Sequence, residues 1–156
     1  MIENYKIILG KGIGNILLGM KKEQVENILG QPDDMEEIDY DDGEKSLTYY
    51  YYDLALDLTF ESDDDDRLSF ISVENDEFSI ENKIKVGQSK DVVLKACKEL
   101  AFGEPEIEDL SSEDIPNQEL IALENENVNF WFTDDTLDEI QIGPFWKDDE
   151  TPIWPV

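Results

Sequence analysis

"YYYYDLALDLTFESDDDDRLSFISV" (residues 49–73) sets two alternating apolar runs on either side of four consecutive aspartates. In the first run Leu56, Leu58 and Phe60 fall on one side and Ala55, Asp57 and Thr59 on the other, the period of a half-buried strand. The second run, "RLSFISV", puts Ile71 and Val73 on the core side and leaves Phe70 outward. Asp63, Asp64, Asp65 and Asp66 then read as the tip of a hairpin, where Asp favours turn conformations and water solvates each carboxylate. A calcium loop needs an oxygen ligand at its fifth position and Gly at its sixth. Counted from Asp63, those positions hold Arg67 and Leu68, so no metal site is expected there.

The surrounding chain repeats itself. "ILLGMKKEQV" (16–25) returns as "IKVGQSKDVV" (84–93), "LGQP" (29–32) as "FGEP" (102–105), "LDLTF" (56–60) as "VNFWF" (128–132) and "RLSFISV" (67–73) as "TLDEIQI" (136–142). Four similar blocks in one order indicate a single supersecondary unit used twice. In each unit a short apolar segment ends in Gly and leads into a helix, over about Lys22–Leu29 and Ser89–Leu100. In the second, Val93, Ala96, Cys97 and Leu100 share one side, Ser89 is a natural N-cap, and Gly30 and Gly103 are the expected stops. Cys97, the one cysteine, lies on that apolar side and reads as core packing. Strands follow each helix. The expected fold class is α+β: two tandem units of a helix plus an antiparallel meander, about 14–78 and 82–143, with helices on one face of a sheet. They make one domain over 1–156. The acidic segment 104–119 is expected as a surface connection, and the tail 144–156, with Phe145, Trp146, Ile153 and Trp154, is expected to fold back.

The chain has 156 residues, 40% hydrophobic, so it carries enough apolar surface for a core in spite of 40 acids against 12 bases. A formal charge of -28 repels nucleic acid and acidic membranes and attracts cations or basic proteins. The first twenty residues are too Gly-broken for a signal peptide, and no apolar run reaches the roughly 20 residues of a membrane helix, so a cytoplasmic location is expected.

With no histidine, Ser-His-Asp and Cys-His nucleophiles are excluded. "GKGIGN" (10–15) has neither dinucleotide nor P-loop spacing and reads as a turn. No carboxylate pair is singled out for glycoside chemistry. The expectation is therefore a binding protein without enzyme activity or cofactor. Alternation turns Tyr50, Tyr52, Asp57, Phe70 and Trp131 away from the core, and rings among acids suit a protein interface; the competing reading is that the tail covers them.

"ILLGMKKEQVENILGQP" followed by "YYYYDLALDLTFE" and "DRLSFISV" resembles the unit of the β-lactamase-inhibitor-protein-like fold, also seen in small outer-membrane assembly lipoproteins. The whole chain also resembles immunity-like proteins of bacterial toxin systems. Lys21 departs from the pattern, which more often has Thr or Ser there, and no lipid-attachment Cys is present. The resemblance implies a cytoplasmic, monomeric inhibitor that occludes a basic toxin, a nuclease being one candidate. Tyr50, Tyr52, Phe70 and Trp131 would anchor it, and Asp57, Asp63 to Asp66, Asp134 and Asp135 would steer it. The alternative is an envelope-assembly or small-ligand or calcium-binding module of the same fold.

Overall fold

The computed structural model describes residues 2–156. The N-terminal segment forms three short strands, β1 (Lys6–Ile8), β2 (Gly12–Ile13) and β3 (Ile16–Leu17), before helix α1 (Lys22–Leu29). Then come β4 (Asp34–Asp39), β5 (Lys45–Tyr51), β6 (Leu56–Glu61), β7 (Arg67–Val73) and the short β8 (Ser79–Ile80). Helix α2 (Lys90–Glu99) leads to β9 (Glu106–Asp109), β10 (Gln118–Leu123), β11 (Val128–Thr133) and β12 (Thr136–Ile142). A last hairpin pairs β13 (Phe145–Trp146) with β14 (Pro152–Ile153).

The large sheet has eight strands in the order β4-β5-β6-β7-β12-β11-β10-β9, all antiparallel. Each half is a sequential meander, and the halves join where Val73, Ser72 and Ile71 of β7 face Ile140, Gln141 and Ile142 of β12. The edge strands β4 and β9 are exposed throughout and carry mostly carboxylates, which discourages another chain from adding to the sheet. A second sheet, β3-β2-β1-β8, ties the N-terminus to the segment between the halves through parallel β1–β8 pairing.

The expected α+β class is corrected by this architecture. Strand accounts for 43% of the chain and helix for 14%, with two short helices beside large antiparallel sheets. The reason lies in what covers the core. Helix α1 buries Val25 alone and α2 buries Val93, Ala96 and Cys97. More apolar bulk comes from Ile7, Ile13, Ile16, Leu18, Phe78, Ile80 and Ile84, in the small sheet and its connections. Glycines break the N-terminal apolar runs, so those runs form strands too short to show a period. At Gly12, with φ +150°, a Cβ would stand 2.0 Å from the Ile16 carbonyl oxygen, so only glycine lets this turn close.

Alternation decides the core face of the large sheet. Tyr49, Tyr51, Leu56, Leu58, Phe60, Leu68, Ile71, Val73, Ile121, Leu123, Val128, Phe130, Phe132, Leu137, Ile140 and Ile142 are all buried there. The Ser89 hydroxyl caps α2 by accepting from the Val92 amide at 3.4 Å. This helix stops earlier than the glycine signal predicts: Ala101, with φ +58°, takes the left-handed turn two residues before Gly103. Cys97 is buried, and burial raises its thiol pKa to about 11, which disfavours the reactive thiolate.

The tail returns as a hairpin. Pro144 bridges Gly10 in parallel, and the Phe145 ring occupies the space where Gly10 lacks a side chain. Trp154 and Val156 sit in the same way against Gly19, whose φ is +93°, and the Arg67 guanidinium lies 6.0 Å from the Trp154 ring centre. The tail therefore packs against the N-terminal segment. The expected surface connection 104–119 contains strand β9 and the first residues of β10.

Candidate outer-face binding surface

The side of the large sheet opposite the core is the candidate site. One row of facing residues runs through all eight strands: Asp34, Tyr50, Asp57, Ser72, Gln141, Asn129, Ala122 and Glu106. A neighbouring row sets Glu139 opposite Trp131, Trp131 opposite Leu120, and Leu120 opposite Glu108. Apart from Tyr50, Trp131, Leu120 and Ala122, every member of these rows is polar or acidic.

At its centre the face holds Asp57, Glu74 and Glu139. Burial raises the Asp57 pKa to about 6, with repulsion from Glu74 adding to it. Burial also raises Glu139. A Ser72 hydrogen bond opposes that shift, while Glu74, Asp57 and Asp138 reinforce it. Asp57 and Glu139 are half-buried and Glu74 is exposed. Desolvated carboxylates without a neighbouring cation are costly, and no ion pair among the described residues reaches any of the three. The Trp131 indole N–H is buried and has no hydrogen-bond partner. Buried polar groups in folded proteins are nearly always paired, so this one stands out.

The predicted residues separate into groups. Tyr50 and Asp57 are adjacent, Phe70 is opposite Thr59 one row away, and Trp131 lies across the β7–β12 junction. Tyr52 sits at the margin, 62% exposed, its hydroxyl donating to Asp34 Oδ2 at 3.1 Å. Tyr50 likewise donates to Glu36 Oε2 at 3.1 Å. These bonds fix both rings against the β4 edge.

The aspartate turns lie elsewhere. Ser62–Asp64 forms one 3-10 turn, and Asp65 and Asp66 have φ of 61° and 57°. Asp64 Oδ2 accepts from the buried Ser69 hydroxyl at 2.6 Å, and Lys21 at the start of α1 pairs with Asp65 at 3.3 Å. Asp134 and Asp135, with φ of 51° and 63°, form the two-residue turn between Thr133 and Thr136. The Asp135 carbonyl accepts from the Lys90 amide at 2.9 Å, and the Asp134 carboxylate accepts from Asn117 at 2.9 Å. Both turns thus meet the starts of the helices and stay apart from the aromatic group.

Sequence reasoning passes over Ser72, Glu74, Asn129, Glu139 and Gln141. Alternation in "TLDEIQI" carries part of the signal. A bulge between β11 and β12 obscures it: Trp131 faces Glu139 and Phe132 faces Leu137, so Asp138 is the extra residue.

Among the described residues no group of three or more acids or cysteines is arranged to hold a metal ion. No helix is long and apolar enough to cross a membrane. Comparison with known proteins gives no match to a family model, a curated protein or a solved structure.

Proposed function

We propose that this chain is a protein-binding inhibitor of the immunity type, which blocks the active-site face of a basic partner by laying its outer sheet face across it. The observation that carries the reading is the central trio Asp57, Glu74 and Glu139, two of whose carboxylates are partly stripped of water with no internal cation. A Lys or Arg from a partner would compensate them. The charge of -28 would speed the encounter, while the ring-bearing centre would hold the complex. The aspartate turns add to the long-range field without touching the partner.

In this reading the face is built from two tandem units, about 14–78 and 82–143. Matched details support that. Gly19 donates to the Leu68 carbonyl and Gly87 to the Leu137 carbonyl, both at 2.8 Å. Ser69 and Asp138 are the extra residues of the two bulges, between the third and fourth strands of each meander. Inhibition is steric and involves no chemistry on the partner.

The test is co-expression with the product of the neighbouring reading frame. A 1:1 complex should form whose association rate falls at least about tenfold between low salt and ~0.5 M salt, as steering requires. A partner that is not basic, or a rate indifferent to salt, contradicts the reading.

A further inference from the structure

The long outer row ends in a cleft. Beyond Asn129, Ala122 and Glu106 the sheet meets the β13–β14 hairpin, and a cavity of about 570 Å³ opens between them. One wall is the indole of Trp146, 48% exposed. The others carry the carboxylates of Glu106, Glu124, Asp148 and Asp149.

The walls are held in place. Asn127, in the β10–β11 turn, donates its side-chain amide to the Pro144 carbonyl at 2.7 Å, and its own carbonyl accepts from the Gly143 amide at 3.1 Å. Gly143 has no room for a side chain, because a Cβ there would lie 2.6 Å from the Asn127 amide nitrogen. Phe145 is committed to Gly10, and Trp146 lines the cavity. Lys147 donates its amide to the Thr151 carbonyl at 2.8 Å, closing the hairpin. The Asp148 carboxylate accepts from the Glu150 amide at 2.9 Å, which holds its pKa below the usual range and keeps it charged. No ion pair among the described residues involves Glu106, Glu124, Asp148 or Asp149.

An exposed indole beside several unneutralised carboxylates is complementary to one chemistry. A guanidinium is planar, stacks on an aromatic face and donates in parallel pairs to carboxylates, whereas an ammonium is a compact, strongly hydrated point charge without that planar fork. We infer that this cleft receives an arginine side chain of a basic protein partner, stacked on Trp146 and bonded to the flanking carboxylates, as a second contact continuous with the outer face. The identity of the occupant rests on the inhibitor reading; the recognition chemistry of the cleft does not.

The experiment is therefore done on the isolated full chain. Blocked Gly-Arg-Gly, its citrulline analogue and blocked Gly-Lys-Gly are titrated into isotopically labelled protein, and the three indole signals are followed by NMR. The arginine peptide should shift the Trp146 indole and the Ala122 and Asn129 amides saturably, and the citrulline analogue should not. Trp146→Ala, at an exposed position, should weaken binding about two- to fivefold, and E106Q combined with D149N should do the same. Absence of a saturable shift, or equal shifts at Trp131 and Trp154, overturns the cleft. Equal binding of the lysine peptide overturns the assignment to arginine. A failed cleft leaves capture by the central face standing, and a failed capture experiment leaves the peptide result standing.

Discussion

Phe130→Ala should lower the stability of the fold by about 3–5 kcal/mol. Phe130 is fully buried in β11, facing Ile121 on one side and Ile140 on the other. Its ring sits next to the strand that joins the two meanders, so the cavity would open where neither half can close it independently. Against a typical total of about 5–15 kcal/mol, that loss is a fifth or more. At about 2–4 °C per kcal/mol for a chain of this size, the melting temperature should fall by roughly 6–20 °C. Phe130→Leu should recover more than half of the loss, since much of the volume returns. Urea denaturation of the three proteins measures this. A loss below about 1 kcal/mol for the alanine variant would mean that the halves do not share one core at this point.

Asp57→Asn should act in the opposite direction on the free protein. The folded-state pKa of Asp57 is raised to about 6 from an ordinary 3.8, so the folded protein holds this proton more tightly than the unfolded chain does. The sign follows: this group's contribution to stability is fully present below about pH 4 and is lost as pH rises to about 6, where the half-buried carboxylate must ionise beside Glu74. Asparagine removes that cost. Partial solvent access on an open face leaves a gain of about 1 kcal/mol at pH 7.5, disappearing near pH 3.5. The same substitution removes a charge that a basic partner would pair with, so binding should weaken at least about tenfold. Thermal melts at the two pH values and calorimetry with the partner read the two effects. A destabilised Asp57→Asn at pH 7.5 would mean that the carboxylate is already satisfied within the chain.

Much of the large sheet is legible in the sequence because alternation there is pure. Leu56, Leu58 and Phe60 on β6, and Val128, Phe130 and Phe132 on β11, are separated by polar residues or by Trp131. The outward direction of Tyr50, Phe70 and Trp131 follows from the same period. What local pattern hides is of two kinds. Strands β4 and β9 bury no side chain, so hydropathy gives them no signature, and β1, β2, β3 and β8 have at most three residues. With those strands hidden, the helices alone stand out as cover for the sheet, which is why the pattern suggests α+β. The central acids are hidden differently: Glu139 reaches Asp57 and Glu74 only because β12 pairs with β7, a contact between residues nearly seventy positions apart. The four aspartates of 63–66 dominate the sequence by eye, yet the structure gives them a turn anchored to Ser69 and Lys21. In an acidic chain, charge density along the sequence is a poor guide to position. Charge that the fold has taken out of water is a better one.

Carboxylate labelling of the complex with a carbodiimide and an amine, read by mass spectrometry, tests the capture of a basic partner by the outer face most directly. Asp57, Glu74 and Glu139 should lose reactivity on binding, while Glu23 on α1 and Asp91 on α2, both exposed, should keep it. Protection of the helix carboxylates with the central three still reactive would contradict the account.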